Sequence, residues 1–533
     1  MNNIKKKIFG SNSVKGATII LIVSLLLSNV LGLVRDHFLT KKIPAQFLDA
    51  YYAAFRIPDL VFNILILGAI IASFVPIFSK YIVKKELSKG WRVANSFLNI
   101  ALLAILICLV VLFFVMPSII PILVPNLSTD LQELTLKLSR ILLLSPIFFT
   151  LSYIFSSILN SFKKFFVYSL APIVYNIMII IATILFADKY GVSGVVWGVI
   201  AGAFLHMLIQ YIETRKSGYR WQAVFDWRNR DVQKIFKLMV PRAIGLGANQ
   251  IMLFVYTAIA STLTAGSIAA FNLADNIQTM PTVVFGISFA AAIFPTLAEH
   301  INIGKYDHFS QHIHKTIRSI GYILIPITFV FILLRAQIIR LILGSGYFGW
   351  NETIMTANTL GWFAISLFAQ GLIPLLARSF YAMEDTKTPT LVSILCVFLG
   401  IVGAYIFTPI LAVSGLALAF TIASFTNAII LYWRLRNKVK LIRSNESDLA
   451  KFLTKVLGAS FLAAIAIQLG KIIMARYVDM EKFWGVASQT IVAIFAGFLV
   501  YYLFSKVFKI QEIETVLAII KKYINPHING QKK

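Results

Sequence analysis

The sequence has few charged residues for its length. Only 13% of the 533 residues are charged, whereas 59% are hydrophobic. A water-soluble protein of this size needs more polar side chains than that, because its outer surface faces water. The composition therefore excludes a soluble globular protein and predicts that a lipid bilayer surrounds much of the chain.

Cysteines and catalytic motifs are also scarce. Cys108 and Cys396 lie far apart within apolar stretches, without the spacing of a metal or redox site, so we interpret both as packing residues. The sequence lacks a Walker loop, a Gly-x-Ser-x-Gly elbow and a His-Glu-x-x-His motif, and it has no soluble segment long enough for a catalytic domain. These absences predict a protein that is not an enzyme, holds no cofactor or metal, and does not couple ATP hydrolysis within this chain.

Acidic residues are outnumbered by basic ones. The chain has 49 Lys and Arg against 22 Asp and Glu, a formal net charge of +27. The cations form short clusters between apolar runs rather than one basic face, so we predict no nucleic-acid partner. The cluster Lys5, Lys6 and Lys7 precedes an apolar run from Ala17 to Leu33. That run lacks a small-residue cleavage pattern, and we interpret it as a retained first helix.

Long apolar runs are abundant. A hydrocarbon core of about 30 Å takes roughly 20 helical residues, and we place about fourteen windows of that length along the chain. The windows are continuously apolar, which favours helices over a barrel. Positive residues follow every second window, as cytoplasmic loops do, so both termini are predicted to be cytoplasmic. These clusters lie at 80–92, 163–164, 215–237, 305–318, 387 and 434–443.

A sequence repeat divides the chain into halves. The tripeptide Val-Ser-Gly at 192–194 opens an apolar stretch that reaches Arg215, and the same tripeptide at 413–415 opens one that reaches Arg436. We predict an all-α integral membrane protein with two pseudo-symmetric six-helix lobes and two C-terminal helices. A parallel repeat is typical of transporters whose site lies between the halves. The predicted divisions are an N-terminal lobe at 1–214, a basic cytoplasmic linker at 215–237, a C-terminal lobe at 238–436, and two helices with a basic cytoplasmic tail at 437–533.

Ionisable residues near the outer ends of the first two predicted helices are candidate binding groups. A charge inside the membrane costs roughly 2.5–3.5 kcal/mol on insertion scales, so it usually faces a partner or a wet cavity. Two interpretations stay open: an internal network of ion pairs, or arginines that also bind an anionic head group. The residues are Arg35, Asp36, Asp49, Arg56 and Asp59.

Predicted helices seven and eight carry further polar candidates. Arg242 follows Pro241 directly and either reaches the cytoplasmic interface or faces the cavity. Asn272, Asp275 and Asn276 share one helical face, which predicts a lumen. Asp275 is a candidate site for a proton or cation, with a structural ion pair as the alternative. Coupling to an ion gradient or to the membrane potential therefore stays open.

Several motifs carry a family resemblance. The segments 28–36, 49–58 and 73–78 (SNVLGLVRD, DAYYAAFRIP and SFVPIF) are followed in order by motifs at 241–250, 289–297 and 377–389. In these segments and motifs the chain resembles the MurJ (MviN) lipid II flippases, which belong to the multidrug/oligosaccharidyl-lipid/polysaccharide exporter superfamily. The resemblance implies two lobes around a cationic cavity and a groove for a lipid tail on the last two helices, near 449–474 and 483–504. It also implies that the protein moves lipid II from the inner to the outer leaflet of the bacterial cell membrane by alternating access.

The resemblance also implies which residues bind the substrate. The pyrophosphate of lipid II is expected on Arg35 and Arg56, with Arg242 in support. The sequence departs from the family pattern where arginines are often found, at Asn29 and Asn276, and where a basic pair is often found, at Phe62 and Asn63. The full set of candidate substrate-binding residues is Arg35, Asp36, Asp49, Arg56, Arg242, Asp275 and Asn276.

Other functions remain as alternatives. The chain could transport another polyprenyl-linked oligosaccharide, export drugs by ion coupling, or act as a non-transporting scaffold for envelope machinery. Expected partners are lipid II and membrane lipids, together with the cell-wall synthesis machinery. The basic loop at 215–237 could bind a partner or anionic lipid, although a solvated loop is the simpler interpretation.

Overall fold

The computed structural model describes residues 14–64, 69–439, 441–442 and 446–514, and nearly all of them lie in helices. Helices are expected, because apolar stretches in a bilayer must satisfy their backbone hydrogen bonds internally. A π-helical segment, Thr282–Ile287, connects the tenth and eleventh helices. The helices are α1 (Val14–Lys42), α2 (Ala45–Ala54), α3 (Arg56–Phe62), α4 (Ala69–Val83), α5 (Leu87–Leu123), α6 (Thr129–Leu142), α7 (Ser145–Ser161), α8 (Phe165–Lys216), α9 (Arg230–Ser261), α10 (Ser267–Pro281), α11 (Ser288–Asn302), α12 (Tyr306–Leu333), α13 (Arg335–Leu343), α14 (Trp350–Ile365), α15 (Leu367–Ala382), α16 (Lys387–Leu411), α17 (Val413–Lys438), α18 (Glu446–Met474) and α19 (Phe483–Val507).

Many of these helices are long and apolar enough to cross a membrane. Within the described residues nine candidate spans meet both conditions, or ten if α14 and α15, which meet at a bend of 47°, form one span. Large apolar side chains point outward: Phe114 is 73% exposed on α5 and Ile107 is 58% exposed. Such a surface needs lipid around it. The chain is therefore a multi-pass membrane protein, and the predicted total of about fourteen spans is compatible with this structure.

The 52-residue α8 is two antiparallel helices that meet at Gly191. Gly191 has a φ of 57° and a ψ of −147°, a conformation that glycine adopts at little cost. Beyond this turn the chain folds back on itself, since a Cβ added to Gly198 would lie 2.0 Å from the Cβ of Ala182. Likewise, a Cβ on Gly202 would lie 3.0 Å from the carbonyl oxygen of Tyr175. The hairpin was counted above as one candidate span, but its two arms are each long enough to be a span.

A residue with positive φ also separates α16 from α17. Ala412 has a φ of 49° and precedes its Val-Ser-Gly tripeptide directly, as Gly191 precedes the first one. A Cβ on Gly415 would lie 2.5 Å from the carbonyl oxygen of Phe407, and one on Gly194 would lie 2.9 Å from that of Phe186. The predicted sequence repeat is therefore also a repeat of backbone geometry.

The described residues fall into two compact units. The first takes in the chain up to Asn276 together with Ile342–Met355 and Ser393–Leu416, and the second takes in the remaining described segments. In the first unit α8 packs against α1 and α7. In the second, α18 packs against α12 and α19, with Leu334, Ile467 and Ala493 in a buried cluster. The predicted domain boundaries near 214, 237 and 436 stay predictions.

Candidate functional site

Arg35 and Asp36 lie side by side on α1. The Arg35 guanidinium donates to Oδ1 of Asp36 from Nε at 3.0 Å and from Nη2 at 2.8 Å, and its Nη1 donates to Oδ1 of Asn176 on α8 at 3.3 Å. The Asp36 side chain is 1% exposed, whereas 21% of the Arg35 side chain is accessible. The pair joins α1 to α8 and leaves part of Arg35 open.

Asn276 on α10 binds the other oxygen of Asp36. Its Nδ2 donates to Oδ2 at 2.9 Å. Asp36 thereby links α1 to α10, since Arg35 of its own helix occupies one of its oxygens and Asn276 the other. The resemblance leads one to expect an arginine at position 276, but α1 already supplies a cation to Asp36. In this structure Asn276 satisfies a buried carboxylate.

Arg56 begins α3 and is buried, with 8% of the residue exposed. Its Nε donates to Oγ1 of Thr257 on α9 at 2.6 Å, and its Nη2 donates to Oδ1 of Asn272 on α10 at 2.7 Å. Both partners are neutral, and nearby negative charge comes from Asp59 and Asp275. Arg56 therefore ties three helices together, and removing a buried, hydrogen-bonded charge of this kind is costly.

Asp49 on α2 caps another helix. Its Oδ2 accepts the backbone N–H of Gly266 at 2.5 Å, and its Oδ1 accepts that of Ala269 at 2.8 Å. These amides lie at the start of α10, where unpaired N–H groups and the positive end of the helix dipole favour an anion. Asp49 is 2% exposed. Both carboxylate oxygens thus accept backbone N–H groups.

These side chains form what we call the polar network. It has two arginines, one more accessible than the other, and more aspartates than arginines. Arg35 is the more accessible of the two arginines, and an anion that binds it must share it with Asp36. Arg242 lies on α9, but its side chain is outside the described residues, so its role stays a prediction. The network consists of Arg35, Asp36, Asp49, Arg56, Asp59, Asn176, Thr257, Asn272, Asp275 and Asn276.

Phe62 and Asn63 occupy the positions of the basic pair expected from the family. The Phe62 ring packs 5.0 Å from that of Phe149 and 5.4 Å from that of Tyr153. The Asn63 amide donates to the backbone oxygen of Asp59 at 2.8 Å. An aromatic cluster and a local helix contact therefore replace the two cations.

The predicted set of substrate-binding residues omits four members of the network, which are Asp59, Asn176, Thr257 and Asn272. Asn176 and Thr257 were not singled out from the sequence at all. Asn176 and Thr257 are isolated polar residues in apolar stretches, and each accepts a hydrogen bond from an arginine. The sequence did indicate Asn272, because it shares the polar face of α10 with Asp275 and Asn276. His206 on α8 is another isolated polar residue, and its Nδ1 hydrogen bonds with the hydroxyl of Ser152 on α7 at 2.7 Å. An isolated polar residue in a membrane-spanning helix thus indicates a hydrogen-bond partner on another helix.

The fold resembles that of solved membrane transporters. A multidrug resistance MATE family transporter of the MOP superfamily, solved in an inward-facing conformation, superimposes with a TM-score of 0.65, covering 80% of this chain and 99% of that one at 16% identity. A second such transporter, in an outward-facing conformation, gives a TM-score of 0.58 at 14% identity and covers 81% of this chain and 97% of that one. At these identities the likeness shows the fold, which is that of the MOP-superfamily transporters.

A closer set of matches gives the family. The family profile described as "Lipid II flippase MurJ" matches residues 45–521. A structure titled "Lipid II flippase MurJ, inward closed conformation" gives a TM-score of 0.78 at 26% identity, covering 93% of this chain and all of that one. A lipid II flippase MurJ of Burkholderia cenocepacia is 26% identical over 82% of this chain and 86% of its own length. A probable lipid II flippase MurJ of Rickettsia prowazekii is 28% identical over 87% of this chain and 91% of its own length. The chain belongs to the lipid II flippase MurJ family, and it is a transporter rather than an enzyme.

Proposed function

We propose that the protein moves lipid II, the undecaprenyl-pyrophosphate-linked peptidoglycan precursor, from the inner to the outer leaflet by alternating access. The observation that carries this proposal is the extent of the match. The MurJ structure covers 93% of the chain, whereas the MATE transporters cover 80% and 81%. The difference is comparable in length to the segment that holds α18 and α19.

Within this proposal, Arg35 binds the pyrophosphate. A guanidinium has five N–H groups in a planar fork that suits phosphate oxygens. Three of its hydrogen bonds go to Asp36 and Asn176, and part of the side chain is accessible. The pyrophosphate takes the remaining donors and competes with Asp36 for the others. Asp49, Arg56 and Asn276 hold the surrounding helices in place.

The isoprenoid tail is proposed to lie along α18 and α19. These helices pack closely, because a Cβ on Gly497 would lie 2.4 Å from Cγ1 of Ile467. Their outer faces are apolar, with Phe461, Phe495 and Phe498 about 60% exposed. An apolar surface of this kind suits a long hydrocarbon chain, since it costs little to cover with lipid.

The orientation and energy source follow the sequence-based predictions. We propose that both termini are cytoplasmic, because basic clusters follow every second span. We propose that no cofactor is needed and that transport uses an ion gradient or the membrane potential. A site for the proton or cation would be Asp275, which acts electrostatically on Arg56. Cell-wall synthesis enzymes that use lipid II in the outer leaflet are the proposed partners.

Complementation tests the proposed substrate. The gene would be expressed in a bacterium depleted of its own lipid II flippase, while outer-leaflet lipid II, survival and membrane expression are measured. We expect lipid II exposure to be restored by the wild-type protein and by a Lys84→Gln control, which changes an exposed loop cation. Failure of a well-expressed, correctly inserted protein would instead support a flippase for another polyprenyl-linked oligosaccharide.

A further inference from the structure

The loop between α8 and α9, residues 217–229, is fastened along α5, and we call it the strap. Asn95 on α5 binds it through two atoms: Nδ2 donates to the carbonyl of Arg220 at 3.0 Å, and Oδ1 accepts the hydroxyl of Tyr219 at 2.8 Å. Asn99, one turn further on, donates to the carbonyls of Gln222 at 2.8 Å and Val224 at 3.0 Å. These contacts give the strap a fixed path along α5.

The end of the strap is fastened in the same way. The hydroxyl of Ser96 accepts the backbone N–H of Asp226 at 2.7 Å, and Arg92 pairs with the Asp226 carboxylate at 3.5 Å. Asn95 and Ser96 are fully buried. Four side chains on one face of α5 therefore bind this loop, namely Arg92, Asn95, Ser96 and Asn99. A solvated loop, which was the simpler prediction, would not need them.

The contacts with α5 determine the level of the strap relative to the membrane. After Asn99 the helix runs from residue 100 to Leu123 without a charged or amide side chain. At 1.5 Å per residue these residues span about 36 Å, enough for a hydrocarbon core of about 30 Å. Asn95 and Asn99 therefore lie where α5 enters the membrane. The strap lies at the same level, against the head groups.

Aromatic side chains of the strap point outward. Trp221 is 61% exposed, Phe225 is 60% exposed and Trp227 is 54% exposed. Trp221 also donates from Nε1 to Oδ1 of Asn99 at 3.0 Å, so its ring is held at the boundary of the apolar run. Aromatic rings on a protein surface at head-group level are typical of contact with the membrane interface.

The strap and the first residue of α9 also present positive charge. Arg220, Arg228 and Arg230 are exposed, and the nearest acids in sequence have other partners: Asp226 pairs with Arg92, and Asp231 accepts the hydroxyl of Tyr81. The cations are thus available for an anionic partner. Arginines beside exposed aromatic rings match a lipid surface with phosphate head groups.

We propose that the strap is a membrane anchor that binds anionic phospholipids of the cytoplasmic leaflet through Arg220 and Arg228, while Trp221, Phe225 and Trp227 enter the interface. The fixed path along α5 holds these side chains in position before lipid binds, so little conformational entropy is lost on binding. Anchoring of this kind does not depend on lipid II transport. A failed complementation assay would therefore not contradict the proposed lipid anchor.

Fluorescence quenching tests the aromatic part. The full-length protein would be placed in nanodiscs that contain phosphatidylglycerol and lipids brominated near the head-group end of the acyl chains. The chain has eight tryptophans, and a Trp221→Phe/Trp227→Phe variant removes the two on the strap. We expect this variant to lose a distinct bromine-quenched component. The proposal is wrong if acrylamide in water, rather than bromine in lipid, quenches that component, or if protection requires an added protein.

Lipid enrichment tests the charged part. An Arg220→Gln/Arg228→Gln variant would be compared with a Lys80→Gln/Lys84→Gln control that removes the same charge from α4 and the following turn. The ratio of phosphatidylglycerol to phosphatidylcholine retained by each protein is the measurement. We expect up to about a five-fold decrease per strap arginine and a smaller change in the control. Equal decreases in both, or no decrease in either, would overturn the proposal. Phe225→Ser, which alters an exposed ring, should weaken retention without loss of folding.

Discussion

Two regions of this protein place charge in different ways. In the polar network Asp36 and Asp49 are buried, at 1% and 2% exposure, and each accepts hydrogen bonds from α10 or the turn before it. In the loop between α15 and α16, Asp385 pairs with Lys438 at 2.7 Å, and the Lys438 side chain stays 45% exposed. A charge in the bilayer depends on the fold for its partner, whereas water also stabilises a charge at the aqueous end.

The polar network itself contains a second contrast. Arg35 and Arg56 were both predicted to bind the pyrophosphate, with an internal network of ion pairs as the alternative. The structure gives Arg35 a carboxylate partner and an accessible edge, while Arg56 is buried among neutral partners. We infer that Arg35 serves binding and Arg56 serves architecture. Variants in both regions can test this difference.

The largest effect is expected for Arg35→Gln. Loss of the charged fork should lower lipid II transport about 100-fold, since charged hydrogen bonds to an anion contribute on the order of 3 kcal/mol. Outer-leaflet lipid II in depleted cells is the measurement, with membrane expression alongside. The double variant Arg35→Gln/Asp36→Asn removes both charges and should recover stability but not transport. Normal transport by both variants would contradict a binding role for Arg35.

Arg56→Gln should act mainly on stability. The variant loses the charged hydrogen bonds to Thr257 and Asn272, so we expect a loss of about 3 kcal/mol in the free energy of unfolding. Thermal unfolding in detergent measures this loss. Arg56→Lys keeps the charge and should lose less. If Arg56→Gln instead folds normally and stops transport, the two arginines are equivalent after all.

Asp49→Ala should have a smaller effect, confined to the start of α10. Removing a side-chain helix cap costs about 1 kcal/mol, and up to about 2 kcal/mol in a favourable site. Hydrogen exchange at the amides of Gly266 and Ala269 should become faster, because they lose their acceptor. Asp49→Asn retains one acceptor oxygen and is the matched control. Unchanged exchange in both variants would argue against the cap.

The smallest effect is expected in the aqueous loop. Burial opposes the charge on Asp385, but hydrogen bonds from Lys438 and from the N–H and hydroxyl of Thr388 prevail and hold its pKa below the usual value. The stabilisation is therefore present above the ordinary aspartate pKa of about 3.9, and it is lost as the pH falls through the lower folded pKa. Asp385→Asn should cost about 0.5–1 kcal/mol and remove this part of the pH dependence.

The effect of salt on variant stability should distinguish the loop that holds Asp385 from the polar network. The effect of Asp385→Asn on thermal unfolding above pH 5 should shrink at high salt, because exposed charges are screened. The effect of Arg56→Gln should persist, since its partners are buried. Equal salt dependence in the two variants would mean that the regions do not differ as the structure indicates.

Much of the fold could be predicted from the sequence. Apolar runs locate the spans because each must cover the hydrocarbon core, and α18 and α19 begin and end within a few residues of the predicted helices. The Val-Ser-Gly repeat marks the two hairpin turns, since the turn geometry is local. The pairing of Arg35 with Asp36 could also be predicted, because the residues are neighbours on one helix.

The contacts between helices could not be predicted in this way. Arg56 and Asn272 are 216 residues apart, and Asp49 and Gly266 are 217 apart. Helical periodicity shows which face of α10 is polar, but not which helix packs against it. The strap was missed for a related reason. Asn95 and Asn99 look like ordinary interfacial residues until the loop that they bind is seen beside them.

The repeated turn at Gly191 and Ala412 suggests a rule for designing helical membrane proteins. In both copies one left-handed residue reverses the chain, and a glycine three positions later lets the second helix pass close to the backbone of the first. The left-handed position accepts glycine in one copy and alanine in the other, whereas the later position is glycine in both. Backbone clearance is thus the stricter requirement, and a designer who has a single glycine to place should place it there.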